Sequence, residues 1–424
     1  FYRQRIRSTN NEQSNNKDMN ENGAYFSWLN VSWWIENQDL ILTIIDNIIY
    51  LFFIFSITYL FIFALFSLRK RTINYSPATK KQRFLVLIPA YREDNVILQS
   101  VCSLLEQNYP KEKYDIIVIS DQMQEDTLEK LEMLSIRVVH VLEKDSTKTK
   151  ALQCAMAQFD KNTYDVVILL DADNIVNPDY INKINDAYYS GGMAIQTHRL
   201  AKNLNTHTAI LDAISEEINN SIFRKGHVRL GFSSALIGSG MAFEFNWFKD
   251  NILKLGHVGV DKQLEVLLLK QRIFIEYLED VYTFDEKVET SSKFYNQRRR
   301  WLATQTKNLR ISCGDLPYAI FSGNWDYCDK IIQWMMPPRV MLLGLLVIIA
   351  LAWTFFNWST SIKWWVALLI LLLTFCISIP KYLLNSKSQK ALIMLPFLFI
   401  LMVFNHFRIR GASKKFIHTE HNGH

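Results

Sequence analysis

The stretch that decides the fold is DVVILLDAD, residues 165–173, in which an apolar run ends in two aspartates separated by one alanine. Three similar runs precede it, FLVLIP at 84–89, DIIVIS at 115–120 and IRVVHVL at 136–142. Helical patterns separate these runs, at 94–107, 124–134 and 149–159. Alternating strands and helices predict an α/β domain with a parallel sheet, right-handed crossovers and ligands at the carboxyl ends of the strands.

Acidic side chains follow two of these predicted strands. Asp121 comes directly after the second, and Asp171 and Asp173 end the fourth. Two carboxylates at the tip of a buried strand are costly unless a cation compensates them, and Mg²⁺ bridging a diphosphate would do so. A polar turn is the alternative interpretation. The chain has no GxGxxG or GxxxxGK[ST] pattern, so a dinucleotide or P-loop site is not indicated.

Three further features follow in the same region. LIGSGMAF, residues 236–243, places a Gly-Ser-Gly turn inside an apolar run, which suits either a close backbone approach to a ligand or a strand bulge. GVDKQLEVLLLK, residues 259–270, puts Asp261 at the start of an amphipathic helix, as an N-cap or as a general base. QRRRW, residues 297–301, suits a solvated basic face, or an arginine near a diphosphate and a tryptophan under a sugar ring.

The composition of the whole chain hides an uneven distribution of apolar residues. Of 424 residues, 49% are hydrophobic and 21% are charged, with a formal net charge of +6. The apolar residues concentrate in 40–68 and 340–407, which excludes a disordered chain and a chain that is soluble throughout. Basic residues cluster beside these segments and no groove-reading motif is present, so we expect no nucleic-acid partner.

Three apolar segments predict helices that cross a membrane. Residues 48–66 are uncharged and would reach about 28 Å as a helix, close to the roughly 30 Å of the hydrocarbon core. Residues 340–356 and 364–379 are two further candidates. Basic residues without acids follow the first and the third segment, which by the positive-inside rule puts both flanks in the cytoplasm. The polar segment 1–39 is then extracytoplasmic.

Two other segments suit the membrane surface. The apolar run 391–404 would reach only about 21 Å as a helix, and a basic tail follows it. We therefore expect 381–424 to hold an interfacial or re-entrant helix and a cytoplasmic tail, with a full crossing as the alternative. The aromatic-rich segment 316–338 predicts a helix at the interface.

The order and spacing of these motifs resemble the family-two glycosyltransferases with the GT-A fold. The motifs are IPAYRED at 88–94, Asp121, DAD at 171–173, GSG at 238–240, Asp261 and Gln297-x-x-Arg300-Trp301. The resemblance covers about 84–310 and is strongest to the membrane-integrated, processive branch, which includes cellulose, chitin, hyaluronan and poly-N-acetylglucosamine synthases. It implies a doubly wound, mostly parallel GT-A sheet in a cytosolic domain at 69–315. A transmembrane helix at 40–68, an interfacial helix at 316–338 and two transmembrane helices at 339–380 would flank this domain.

The resemblance also implies a role for each matching residue. Asp261 would be the catalytic base, and Asp173 would hold Mg²⁺ or Mn²⁺. The acceptor sugar would lie against Ser239, Gly240, Gln297 and Trp301. The nucleotide sugar would be bound by Ala90, Tyr91, Glu93, Asp121, Lys148, Lys150, Asp171 and Arg300.

The chain departs from the family pattern at three places. Gln122 follows Asp121, where Gly, Asp or Ser is usual. Lys148 and Lys150 stand where the family has one lysine, so either is a candidate for the diphosphate. Val260 precedes Asp261 where the family has Glu, which leaves the identity of the sugar open.

The function that the resemblance implies is an inverting polysaccharide synthase of a bacterial inner membrane. It would polymerise a β-linked chain from UDP-glucose or UDP-N-acetylglucosamine and secrete it through its membrane helices. Few spans are available for such a channel, so a homo-oligomer or a secretion subunit is an expected partner, beside the donor, the growing polysaccharide and the bilayer. One alternative is the transfer of a single sugar to a lipid, as ceramide glucosyltransferases do. The other is a catalytically silent scaffold.

Overall fold

The computed structural model describes residues 37–69, 75–134, 136–141, 147–256 and 259–407. The chain separates into two compact units, Phe1–Ile57 and Thr58–His424. In the first unit, the described residues form the beginning of helix α1, Gln38–Ser67, whose last residues belong to the second unit. The predictions for most of the N-terminal polar segment and for the basic C-terminal tail concern residues 1–36 and 408–424, which lie outside the described part.

A mixed sheet of eight strands lies at the centre of the described part of the second unit. Its strand order is β3-β2-β1-β4-β7-β6-β8-β5. The strands are β1 Phe84–Tyr91, β2 Tyr114–Asp121, β3 Arg137–His140, β4 Val166–Leu169, β5 Ile175–Val176, β6 Ala194–Ala201, β7 Met241–Glu244 and β8 Ile275–Asp285.

The first half of the sheet is parallel, as the four apolar runs predict. β1 pairs with β2 and with β4, and β2 pairs with β3, all in parallel. Residues 84–88 of β1 are all fully buried, which is expected where helices cover both faces of a parallel sheet. Tyr91 is paired with Asp121, so the polar residues after β1 and β2 meet at one edge.

The second half of the sheet is mixed, so four of the seven strand pairings in the described sheet are parallel and three are antiparallel. β7 is antiparallel to both β4 and β6, and β5 is antiparallel to β8, while β6 and β8 are parallel. β7 begins directly after a turn in which Gly238 and Gly240 have φ values of 86° and 63°. The turn sends β7 back between β4 and β6. Periodicity along one strand does not encode the direction of its neighbour, so the sequence could not show this reversal.

Helices cover both faces of the sheet, and further helices follow the last strand in the chain. Those of the first half are α2 Ile97–Leu105, α3 Glu125–Glu132, α4 Lys148–Met156 and α5 Tyr180–Tyr189. Then come α6 His207–Asn219, a π-helical segment Asn220–Gly226, α7 His227–Leu230, α8 Phe245–Ile252, α9 Val260–Lys270 and α10 Ser291–Cys313. The remaining helices are α11 Leu316–Phe321, α12 Trp325–Met335, α13 Arg339–Phe356, α14 Trp358–Ser378, α15 Ser386–Ala391 and α16 Leu395–Phe407. Short 3-10 turns lie at Lys111–Lys113, Lys381–Leu383 and Leu392–Met394.

The hydrophobic core lies on the two faces of the sheet. Residues of α4, α8 and α9 cover one face, as Leu152, Phe248 and Leu264 show, and Ile331 of α12 joins the same cluster. Residues of α2 and α5 cover the other face. Helices α9 and α12 therefore share one core, which places them close to the strand ends that carry the conspicuous acids.

Four helical stretches of the described residues are long and apolar enough to cross a membrane. They are Gln38–Ser67, Arg339–Phe356, Trp358–Ser378 and Ser386–Asn405. The first three coincide with the predicted spans. The fourth has 20 residues, because the polar residues 386–390 precede the apolar run in the same helical stretch, so the length of the helix no longer argues against a crossing. The sidedness of these segments stays a prediction.

The segment 316–338 forms two helices rather than the one that was expected. Gly323, with a φ of 67°, lies in the turn between α11 and α12. Phe321 is 90% exposed and Tyr318 is 76% exposed, whereas Tyr327 and Trp334 of α12 are buried against the domain. We still predict that the exposed side chains of Tyr318 and Phe321 lie at a membrane interface, which the structure does not test.

Candidate active site

The segment Asp171–Asp173 forms a turn at the carboxyl end of β4, and hydrogen bonds hold it in place. The amide of Asp171 donates to Asn174 Oδ1 at 2.9 Å and to Ser239 Oγ at 3.0 Å. Asp173 accepts from Asn174 Nδ2 at 3.1 Å and from the amide of Glu286 at 2.9 Å. Both aspartates are thus oriented by groups that come from the far half of the sheet.

Lys148 connects this turn with the glycine-rich turn. It is the first residue of α4, whose N-cap Thr147 accepts from the amide of Lys150 at 3.3 Å. The ammonium group of Lys148 contacts the Asp171 carboxylate and donates to the carbonyl oxygen of Gly238 at 2.7 Å. The ammonium group of Lys148 thus joins the aspartate turn to the glycine-rich turn, and the choice between the two candidate lysines for the diphosphate stays a prediction.

Asp261 lies in the first turn of α9, which begins at Val260. The N-cap position belongs to Gly259, with a φ of 73°, so the N-cap interpretation of Asp261 is wrong. A methyl group at Gly259 would lie 2.4 Å from Thr304 Cγ2, so a side chain there would prevent α9 from packing so closely on α10. A methyl group at Gly238 would lie 3.8 Å from Asp261 Oδ2, which places this carboxylate beside the glycine-rich turn.

Arg300 of α10 is within electrostatic reach of both Asp171 and Asp261. Burial lowers the pKa of its guanidinium below the usual range, and the carboxylates of Asp171 and Asp261 act in the opposite direction. Since an arginine stays protonated in proteins, it provides a fixed positive charge at this place.

Trp301, the next residue of α10, is held by an arginine from the same motif. The guanidinium of Arg298 lies 4.7 Å from the Trp301 ring and 4.8 Å from the Phe294 ring, and it forms an ion pair with the buried Asp212 of α6. Stacking of this kind contributes about 0.5–2 kcal/mol and fixes the plane of the ring. Among the described residues, Gln297 Oε1 is buried without a hydrogen-bond partner.

The residues predicted for the nucleotide lie at the ends of β1 and β2. Ala90 and Asp121 are buried, and Tyr91 is paired with Asp121 across the two strands. Arg92 and Gln122 follow them with φ values of 54° and 55°, and the Arg92 guanidinium donates to Gln122 Oε1 at 3.1 Å.

Glu93 lies just beyond this pair, where its carbonyl oxygen accepts from two amides at the start of α2. Gln122, which stands where the family has Gly, Asp or Ser, is thus paired with Arg92. Both residues have a left-handed backbone conformation, which is costly for residues other than glycine. Strain of this kind tends to occur at ligand sites.

Ser239 and Gly240 contact the sheet rather than an open cleft. Ser239 is fully buried, and its hydroxyl contacts Asn174 Oδ1 as well as the amide of Asp171. Gly240 is buried too, and a methyl group there would lie 2.4 Å from Thr197 Oγ1 and 2.7 Å from Thr283 Oγ1. In this structure both residues support the aspartate turn, and their predicted place beside the acceptor stays a prediction.

The aspartate pair fits a divalent cation in its chemistry. Within the described residues, no three His, Cys, Asp or Glu side chains form a group that could hold a metal by themselves. Mg²⁺ and Mn²⁺ sites in such enzymes, however, need only one or two carboxylates, because substrate phosphates and water supply the other oxygens. Asp173, with Asp171 beside it, therefore suits a cation that arrives with a diphosphate.

A buried network of charges lies next to the aspartate pair, and the sequence had not indicated it. Arg199 of β6 forms ion pairs with Glu216 at 3.2 Å and with Asp285 at 3.3 Å. Burial opposes the charge of Arg199, but the carboxylates of Asp285, Glu216 and Asp171 raise its pKa above the usual range. Nothing in the local sequence singled out Arg199 or Glu216, since their partners come from distant segments. Asn174, by contrast, directly follows the DAD motif and could have been considered with it.

The comparison with known proteins places this chain in a family. Residues 82–304, more than half of the chain, match the family described as Glycosyltransferase like family 2. The chain belongs to this family. This family-2 glycosyltransferase has a fold similar to that of the mannosyltransferase PcManGT from Pyrobaculum calidifontis, whose structure was solved with GDP-Man and Mn²⁺. That similarity has a TM-score of 0.50 at 16% identity and covers 84% of this chain and 98% of the other.

A second solved structure is S. aureus TarS 1–349 in complex with UDP-GlcNAc. The TM-score is 0.42 at 15% identity, with 78% of this chain and 90% of that chain covered. No curated protein is similar enough in sequence to the family-2 chain to count as a match. At 16% identity, the similarity to PcManGT shows the fold alone, and the family match agrees with a mixed α/β sheet of GT-A-like type.

Proposed function

We propose that this family-2 glycosyltransferase transfers a sugar from a UDP-sugar with inversion at the anomeric carbon, and extends a β-linked polysaccharide. The observation that carries the proposal is the linked arrangement of Asp171, Lys148, Gly238 and Asp261. Lys148 contacts Asp171 and the Gly238 carbonyl, and the Asp261 carboxylate lies on the other side of the same glycine. A diphosphate-binding group and a candidate base are thus separated by one backbone turn.

The reaction requires one proton acceptor and charge stabilisation for the leaving group. In our mechanism, Asp261 takes the proton of the acceptor hydroxyl while its oxygen bonds to C1 of the donor sugar. The bond from C1 to the diphosphate breaks at the same time, and the diphosphate leaves with the bonding electrons. A general base of this kind contributes typically about 10²–10⁴ in rate.

Positive groups stabilise the departing diphosphate. Two cationic side chains would act where negative charge grows in the transition state. They are Lys148, which contacts Asp171, and Arg300, on which the charges of Asp171 and Asp261 act. Mg²⁺ or Mn²⁺ held by Asp173 would add Lewis-acid stabilisation of the same oxygens. The buried pair of Arg199 with Glu216 would keep the strand end beneath the aspartates rigid.

The acceptor side adjoins candidate membrane helices, which supports a product that enters the membrane. Helix α16 packs against α10, the helix that carries Trp301, and Asn405 Nδ2 donates to the Tyr295 carbonyl at 3.2 Å. A polysaccharide is too polar to cross lipid unaided, so it needs a protein-lined path. We propose a multi-pass protein of a bacterial inner membrane with a cytoplasmic catalytic domain, whose path is completed by a second copy or by a secretion subunit.

The test is a donor screen with the purified, detergent-solubilised protein. UDP-glucose, UDP-N-acetylglucosamine and GDP-mannose are supplied with Mn²⁺ or Mg²⁺, nucleoside diphosphate release is followed, and the product is analysed by gel and linkage analysis. We expect release from a UDP-sugar and a ladder or high polymer. A single glycolipid product would show that the acceptor is a lipid and that the enzyme does not extend a polysaccharide. No release from any donor would overturn the proposed transferase function.

A further inference from the structure

Two adjacent charged residues of α12 are buried and contact different elements. Asp329 accepts a hydrogen bond from Tyr59, in the part of α1 that belongs to the second unit, at 2.5 Å. Lys330 forms an ion pair with Glu265 of α9 at 3.1 Å. Lys330 is only 1% exposed and Glu265 is fully buried. Helix α12 therefore connects a candidate membrane helix with the helix that carries Asp261.

Glu265 lies one helical turn after Asp261 and binds Leu236, in the irregular segment that leads into the glycine-rich turn. Its Oε1 accepts from the amide of Leu236 at 3.0 Å. Lys262, which pairs with Glu265 Oε2 at 3.1 Å, donates to the carbonyl oxygen of Leu236 at 2.8 Å. Both main-chain groups of Leu236, two residues before Gly238, are thus held by side chains of α9.

This arrangement fixes the distance between Asp261 and Gly238. Burial alone would raise the pKa of the Glu265 carboxyl, but Lys262 and Lys330 hold it below the usual range, so the group stays charged. A buried ion pair contributes little net stability compared with apolar residues of the same volume. Its value lies in orientation, because Glu265 and Lys262 together hold the amide and the carbonyl oxygen of Leu236.

We propose that Glu265, held by Lys330, is a positioning residue for the transferase reaction, which sets the Asp261 carboxylate against the Gly238 turn. The inference rests on the proposed function, because it gives Asp261 the role of base. It adds a residue that touches neither donor nor acceptor. It also makes α12 the element through which the position of α1 acts on the base.

Two double variants separate orientation from charge. Glu265→Gln with Lys330→Met removes the ion pair but keeps an oxygen that accepts from the Leu236 amide. Glu265→Leu with Lys330→Met removes the ion pair and that acceptor. Neither leaves the Glu265–Lys330 pair half-removed, which would be strongly destabilising. We expect the first to keep at least half of the wild-type kcat. We expect the second to lose tenfold or more in kcat, with the donor KM and the Kd for UDP unchanged within twofold.

Lys262→Met provides a measurement that does not depend on the folding of the double variants. Its side chain is 25% exposed, and the substitution removes the donor to the Leu236 carbonyl while Glu265 keeps Lys330. We expect kcat to fall several-fold at constant donor KM. Glu279→Gln is the matched control, because Glu279 also pairs with two cations, Lys225 and Arg229, and lies on β8. This control should keep the wild-type kcat.

The outcomes separate this inference from the proposed function. A wild-type protein without transferase activity would overturn the function itself. If the wild type is active and the two double variants have equal kcat, Glu265 does not position the base. If the Leu–Met variant does not fold, a wild-type kcat in Lys262→Met overturns the inference. A rise in donor KM with unchanged kcat would assign Glu265 to donor binding and would also overturn it.

Discussion

The Asp261 carboxylate lies beside Gly238, whose carbonyl oxygen accepts a hydrogen bond from the ammonium group of Lys148. The two residues are separated by β7 and α8 in the chain, yet there is room for only a small group between them. A side chain at position 238 would approach the carboxylate at van der Waals distance, and with a φ of 86° the backbone also favours glycine. The turn thus keeps space in front of the candidate base.

The first prediction concerns Asp261 itself. Asp261→Asn keeps the size of the side chain but cannot accept the hydroxyl proton, so we expect sugar transfer to fall at least 100-fold. UDP binding, measured by titration calorimetry, should change less than twofold. Asp250→Asn is the matched control, because Asp250 has a side chain that is 44% exposed and pairs with Lys161. Transfer at the wild-type rate in Asp261→Asn would show that another group is the base.

The second prediction concerns the divalent cation. Asp173→Asn keeps an oxygen for the amide of Glu286 but loses the charge that a hard cation requires. We expect the wild type to bind UDP more tightly with Mn²⁺ than with a chelator, and we expect this difference to disappear in the variant. Calorimetry in both conditions measures it. An identical Mn²⁺ dependence in both proteins would exclude Asp173 as the metal ligand.

The third prediction concerns the ring of Trp301. Arg298→Lys keeps a cation for the buried Asp212 but loses the planar group that stacks on Trp301. We expect the KM for an oligosaccharide primer to rise several-fold, while the KM for the donor stays within twofold. Initial rates at varied primer and donor concentrations give both constants. If the donor KM rises instead, Arg298 acts on the nucleotide side.

The fourth prediction concerns the stability of the glycine-rich turn. Gly240→Ala places a methyl group within 2.7 Å of two threonine hydroxyls at a φ of 63°. Overpacking and the left-handed backbone together should cost roughly 2–4 kcal/mol of unfolding free energy. Gly323→Ala is the control, because its φ is 67° and nothing lies within 4 Å, so only about 1–2 kcal/mol is expected. Thermal unfolding in detergent measures both, and equal effects would contradict the steric argument.

The fifth prediction concerns acid stability. Burial alone would raise the pKa of Glu216, but Arg199 and Arg224 lower it to about 2, from a usual value of 4.5. Because the folded-state pKa is the lower one, this group's contribution is fully present above about pH 4.5 and is lost as the pH falls towards 2. Glu216→Gln should therefore show a weaker decrease of unfolding free energy over this pH range. Equal slopes in the variant and the wild type would exclude this contribution.

Much of the first half of the domain could be predicted from the sequence. The runs that form β1, β2 and β4 are apolar and bounded by polar turns, so their apolar pattern alone identifies them as buried strands. The acids at positions 121 and 171–173 follow those strands directly, and the carboxyl ends of parallel strands meet at one edge. The candidate site was therefore visible as a set of motifs, whose roles stay predictions, and these motifs lie within the residues 82–304 that match the family.

The rest could not be predicted, because it depends on contacts between distant segments. The antiparallel entry of β7, the approach of α9 to Gly238 and the pair of Asp212 with Arg298 each join residues that no local pattern relates. The apolar run at 391–404 also belongs to a longer helical stretch, Ser386–Asn405, which the polar residues 386–390 begin.

The amino-acid sequence by itself determined which segments are buried, which strands carry acids at their ends and which helices are apolar enough for a membrane. These properties follow from side-chain polarity and its period along the chain. Only the tertiary structure decided that Lys148 contacts both Asp171 and the carbonyl oxygen of Gly238, and that Glu265, one helical turn after Asp261, forms a buried pair with Lys330. Such pairings depend on how helices pack on the sheet, and packing is a property of the whole fold rather than of any one segment.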